Sequence, residues 1–150
     1  MKDETQEQYI FFRFAIQDFY ECAETLELLE SSDNNEVKLA LFKAAVVAYA
    51  RPFSGNQAVH KKQNWRLDEN WVTDLKVHEV AIEYRSKLFA HSDISYRVPH
   101  LAKIGNRFPI SMRGTYFEKY MELVAPLAKL SKKMISVLID KTKEYEVKHF

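Results

Sequence analysis

The chain has 150 residues, 47% of them hydrophobic and 13% aromatic, with a formal net charge of +1 at pH 7. That length suits one domain with a substantial core, and that composition excludes a disordered chain. Three Gly and four Pro disfavour a many-stranded fold, while the single cysteine, Cys22, excludes an intrachain disulfide framework and a thiolate metal site.

Residues 1–7 are charged and acidic, unlike a signal peptide, and the longest apolar run, 39–50, is interrupted by Lys43 and far too short to span a membrane. A cytoplasmic, soluble protein with no membrane partner is the expectation. The net charge hides an asymmetry. Residues 1–36 carry two basic and ten acidic side chains, a balance of −8, whereas residues 37–150 carry twenty and eleven, a balance of +9. This is either a solvated acidic face on the first helix or a molecule with one acidic and one basic side, the latter able to meet an anionic polymer.

Residues 4–30 predict a long first helix. Phe12, Ile16, Phe19, Ala23 and Leu26 form one stripe, and Phe11, Ala15, Cys22 and Leu29 widen it enough for two neighbours. Cys22 on that face reads as a small core residue. The polar break 31–35 offers a helix cap at Asp33 or Asn34. A second helix follows over 36–50, apolar nearly all round. Pro52 is expected to end it by driving the residue before it out of helical geometry.

Residues 52–70 lack periodicity and read as a loop, in which His60, Lys61, Lys62 and Arg66 cluster around Trp65. Two readings stand: phosphate contacts with base stacking, or a loop whose Trp65 simply folds onto the core. Residues 77–93 then predict a third helix, with Leu75, His78, Ile82, Arg85 and Phe89 sharing one face. An arginine on an apolar face has a specific partner or lines a site, because removing its charge from water costs several kcal/mol. Six residues of continuous helix turn His91 by ~600° from Arg85, or about 120° net. The two converge only if the helix loosens around Phe89 or a second chain completes the arrangement.

Residues 94–114 are the least helical part, punctuated by Pro99, Gly105, Pro109 and Gly114, with a short hairpin expected within 104–112 around Gly105 and Asn106. From 94 to 117 there are Arg97, Lys103, Arg107 and Arg113 but no acid, which makes a phosphate track or a solvated connection. Residues 116–145 predict the last helix. Tyr120, Leu123, Leu127, Leu130, Met134, Val137 and Leu138 lie inward on it, Pro126 kinks it, and Lys129, Lys132, Lys133, Lys141 and Lys143 line its outer face. The architecture expected is all-α, a single domain over 1–150 forming an up-and-down four-helix bundle with long loops before and after the third helix.

The run from Arg85 to His91, Arg-Ser-Lys-Leu-Phe-Ala-His, resembles the Arg, polar residue, short spacer, His signature of HEPN domains, small helical domains many of which are metal-independent ribonucleases. Ser86 stands where Asn, Asp or His often follows the Arg. The resemblance covers the motif and the layout of essentially the whole chain. It implies RNA cleavage without metal or cofactor, through the neighbouring 2′-hydroxyl, leaving a 2′,3′-cyclic phosphate. His91 is then the general acid/base, Arg85 stabilises the phosphate and Ser86 adds a hydrogen bond. Substrate would be held by Arg97, Lys103, Arg107, Lys61 and Lys62. A homodimer setting two motifs face to face is implied, as is a toxin or defence role with a cognate antitoxin. Two other readings stay open. One is a non-catalytic binding or scaffold module in which Glu79, Glu83 or an acid of the first helix pairs with Arg85; the other is a nucleotide-binding domain of the same family.

Overall fold

The structure, a computed structural model, describes residues 4–57, 64–89, 100–101, 110–111 and 117–150. Four helices carry it: α1 (Glu4–Glu30), α2 (Asn35–Ala50), α3 (Leu75–Glu83) and α4 (Phe117–His149). The fold is the expected all-α bundle, and its directions follow from which side chains meet.

Along α1 and α4, the Tyr9 hydroxyl donates to Glu146 Oε1 at 2.6 Å, Ser131 Oγ donates to Cys22 Sγ at 3.2 Å, and Lys132 Nζ reaches Glu27 at 2.9 Å. The start of α1 meets the end of α4, and the later part of α1 meets the middle of α4, so α4 runs antiparallel to α1. Likewise His78 of α3 meets Tyr49 of α2, whereas Tyr84 just beyond α3 meets the earlier Phe42. The bundle is therefore up-down-up-down. The breadth of the apolar face on α1 explains its place: Phe19, Cys22, Leu26 and Leu29 are all buried, shared between α2 and α4. Cys22 is a core residue, its thiol pushed up to about 12 by burial, so it holds its proton and packs.

Asn34 caps α2, its Oδ1 accepting from the backbone N–H of Glu36 and Val37 at 2.9 and 3.1 Å. The end of α2 differs in mechanism from expectation. Arg51 stays right-handed helical at φ −52° and ψ −49°, and the chain tightens into a 3₁₀ turn, Arg51–Phe53. Pro52 stops the α-helix by lacking an N–H, while the N–H of Arg51 takes over the carbonyl of Ala48.

The connection between α2 and α3 is more ordered than a loop. It holds an antiparallel pair of two-residue strands, β1 (Asn56–Gln57) and β2 (Asn64–Trp65), and a 3₁₀ turn, Glu69–Trp71. Gly55 enters β1 at φ 81°, and a Cβ there would stand 2.7 Å from Asn64 Oδ1, so both the backbone angle and the space require glycine. Trp65 stacks on Phe11 with centroids 6.5 Å apart, and Trp71 meets Phe12 at 5.9 Å. This connector thus covers the part of α1 that α2 and α3 are too short to reach.

The helix expected over 77–93 begins at Leu75 and is not one regular α-helix, and residues 90–93 lie outside the described residues. Regular α-helix ends at Glu83 and residues Tyr84–Phe89 continue as a π-helix. Leu75 is exposed rather than on the buried stripe, because it sits in the first turn of α3, just after the Asp74 cap. Beyond it, β3 (His100–Leu101) pairs antiparallel with β4 (Ile110–Ser111). Of the hairpin expected within 104–112, only 110–111 falls among the described residues, and its partner strand begins earlier, at His100. Pro126 lies inside α4 on its exposed side, where its missing N–H removes one helical hydrogen bond.

Candidate functional site

Tyr84–Phe89 is where the backbone leaves regularity. A π-turn bonds each N–H five residues back, and such widened turns are frequent at functional positions. The widening starts at Tyr84 and reaches Phe89, where loosening was one of two ways for Arg85 and His91 to converge; His91 lies outside the described residues. The segment is pinned by aromatic rings. Phe42 of α2 stacks on Tyr120 of α4 at 5.3 Å and 20°, and Tyr84 meets Tyr120 at 5.2 Å and Phe42 at 6.2 Å, both edge-on. Offset and edge-to-face pairs of this kind are the favourable ones.

Arg85 follows directly. It is half-buried and makes no hydrogen bond or ion pair to a described residue. Glu83, one of the partners considered for it, is 3.0 Å from Lys87 Nζ, while Glu79 is exposed. Ser86 is also half-buried. So the structure brings Arg85 and Ser86 together in one widened turn; His91, Arg97, Lys103, Arg107, Lys61 and Lys62 lie outside the described residues. Two members of the cluster around residues 60–66 are described, and the fold uses both: Trp65 stacks on Phe11, and Arg66 donates from Nε to the Phe53 carbonyl at 3.0 Å. Among the described residues, no group of three His, Cys, Asp or Glu side chains is placed to hold a metal. No described helix is long and apolar enough to cross a membrane.

One polar cluster had no signal in the sequence, because its members are far apart in the chain. Tyr49 and His78 are both buried, and the Tyr49 hydroxyl lies 2.9 Å from His78 Nδ1. Burial pushes the Tyr49 pKa up, so the hydroxyl stays protonated. His78 Nε2 faces Glu69 Oε1 at 4.0 Å. The Phe53 ring packs edge-on against His78 at 4.5 Å. Desolvation lowers the pKa of His78 below its ordinary 6.5, against the smaller opposing pull of Glu69 and Glu79.

A stability effect follows from that shift. The unfolded chain takes up a proton at His78 more readily than the folded one, so folding loses free energy as pH drops below 6.5 and is unaffected by this group above it. Urea midpoints measured from pH 8 to pH 5 should fall on the acid side. In His78→Gln that acid-side slope should flatten; an unchanged slope would assign it elsewhere.

No protein-family model matches the chain, and neither a curated protein nor a solved structure shows significant similarity to it.

Proposed function

We propose that this chain is a HEPN-like, metal-independent endoribonuclease. The observation that carries the reading is Arg85, half-buried in a π-helical turn and facing no described carboxylate. A guanidinium withdrawn from water without a carboxylate is costly to the fold and suited to an anion supplied from outside. In the proposed reaction His91 takes the proton from a ribose 2′-hydroxyl. The 2′-oxygen bonds to phosphorus, the bond to the 5′-oxygen breaks, and that oxygen leaves with a proton. The products are a 2′,3′-cyclic phosphate and a free 5′-hydroxyl. Arg85 stabilises the charge on the phosphoryl oxygens, and Ser86 adds a hydrogen bond.

The cations Arg97, Lys103 and Arg107, with Lys61 and Lys62, hold the RNA backbone in this reading. A homodimer completes the site, the location is cytoplasmic, and a cognate antitoxin is the partner that the resemblance implies. The competing scaffold reading needs a structural partner for Arg85, and the described residues offer none. A nucleotide-binding domain would use the same arginine without cleavage.

The test is cleavage of single-stranded RNA by the purified chain with and without EDTA, alongside binding titrations at several salt concentrations. Cleavage should persist in EDTA, and binding should weaken steeply with salt as counterions are released. Lys103→Ala with Arg107→Ala should flatten that salt dependence. Activity lost to EDTA would end the proposed mechanism, and no RNA binding at low salt would leave the scaffold reading.

A further inference from the structure

The end of the bundle far from the Arg85 turn carries a groove that the proposed reaction does not use. Tyr84 meets Tyr120 near the start of α4, and from Tyr120 to Tyr145 that helix rises about 37 Å. There α1, the Glu69–Trp71 turn and the last turns of α4 border an open cavity of about 350 Å³. That volume lies toward the lower end of the range for small-molecule sites, about 300–1,000 Å³.

Its walls are aromatic. Phe12 is buried beneath it, Trp71 meets Phe12 at 5.9 Å, and Tyr145 meets Phe12 edge-on at 5.6 Å. Trp71 and Tyr145 are half-buried, and the exposed His149 ring lies against Tyr145 at 4.3 Å. The Tyr145 hydroxyl is already taken up, donating to the Thr5 carbonyl at 3.2 Å, which ties the end of α4 to α1. Tyr145 therefore offers a ligand its ring rather than its hydroxyl.

The polar groups on the rim select the ligand. Lys141 crosses Trp71 with Nζ 5.8 Å from the ring centroid and pairs with Glu144 at 3.0 Å. A ligand cation, the usual guest of an aromatic cage, would meet that ammonium already in place. Lys148 lines the groove, is exposed and makes no ion pair to a described residue, so the charge left on offer is positive. Gln8 lines it too, half-buried, and its amide makes no hydrogen bond to a described residue. An amide presents a donor and an acceptor side by side, the pattern that matches N6 and N7 of adenine. Flat rings beside a cation suit a stacked base that carries a phosphate.

We propose that this groove binds one adenine nucleotide, its base against Trp71 and Tyr145, its edge read by Gln8 and its phosphate paired with Lys148. A free nucleotide and a nucleotide within a single strand present that same chemistry. The site is separate from the Arg85 turn and does not rest on the ribonuclease reading. Adenine binding here without RNA cleavage would sink that reading and leave the groove, and cleavage without adenine binding would do the reverse.

The chain has two tryptophans, so Trp65→Phe leaves Trp71 as the fluorescent reporter. Titrating that variant with AMP and with a short oligoadenylate should quench its emission saturably. Quenching by both admits a free nucleotide, and quenching by the oligomer alone places the nucleotide in a strand. In the same background, Gln8→Leu and Lys148→Glu should each weaken binding about tenfold with far-UV circular dichroism unchanged. CMP should bind more weakly than AMP, and Gln8→Leu should remove that preference. If Trp65→Phe does not fold, the indole N–H resonance of Trp71 in the wild type, identified by its loss in Trp71→Phe, gives the same readout. No response to either adenine probe, an equal response to polyglutamate, or binding unchanged in either variant would overturn the assignment.

Discussion

Replacing Phe42 by alanine is expected to cost about 3–5 kcal/mol of stability, the range for deleting a fully buried aromatic ring. Phe42 is fully buried, and its ring joins three elements: α2, Tyr84 at the head of the π-helical turn, and Tyr120 near the start of α4. The site cannot collapse easily, since stacking on Tyr120 and the edge contact with Tyr84 leave rings on two sides of the cavity. Urea denaturation of the wild type and Phe42→Ala measures the loss. A second effect is specific to the position. Hydrogen exchange at the amides of Tyr84 to Lys87 should accelerate more in Phe42→Ala than in a variant equally destabilised at Met134, which is buried on α4 away from these rings. Equal acceleration in both would mean that Phe42 supports the bundle but not the turn that carries Arg85.

Under the proposed ribonuclease reading, His91→Ala is expected to lower RNA cleavage by about 10²–10⁴-fold, the usual contribution of a positioned general acid/base. Arg85→Ala should lower it by about 10²–10³-fold, the loss seen when one donor to a developing oxyanion is removed. The effect on binding separates the roles. Arg85→Ala should weaken RNA binding modestly because one phosphate contact is gone, whereas His91→Ala should leave binding unchanged. Arg85→Lys should recover binding better than cleavage, because an ammonium supplies the charge without the planar fork of donors. Rates from single-turnover assays, compared with binding at the same salt, provide the check. Cleavage by either alanine variant at the wild-type rate would remove that residue from the mechanism.

The first and last helices were legible from their periodicity, and the second from its apolar run between a polar break and Pro52. The first was expected over residues 4–30 and observed as Glu4–Glu30, since a broad 3.6-residue pattern beginning in charge and ending in Ser31, Ser32, Asp33 and Asn34 leaves little freedom. Asn34, named as a cap, is one. The third helix was legible only in part. Its apolar spacing continues past Glu83, and periodicity does not distinguish a 3.6-residue turn from a widened one over six residues. The structure puts the change at Tyr84 because the Phe42 and Tyr120 rings hold that side chain from two other helices.

The candidate site divides along the same line. The Arg85 to His91 spacing and Ser86 are properties of the sequence, as are the acid-free stretch 94–117 and the acidic first helix. That Glu83 takes Lys87, and that no described carboxylate reaches Arg85, are properties of the fold. The same holds for Trp65 and Arg66. Their composition allowed an RNA contact but favoured a loop packed on the core, and in the structure Trp65 stacks on Phe11 while Arg66 bonds the Phe53 carbonyl. Tyr49 and His78 lie 29 residues apart with no shared pattern, so only the antiparallel packing of α2 and α3 brings the hydroxyl to the imidazole. Local periodicity, caps and charge runs are written residue by residue and can be read there. Which polar side chains are satisfied inside the chain, and which are left for a ligand or a second copy, depends on surfaces that meet only when the helices pack.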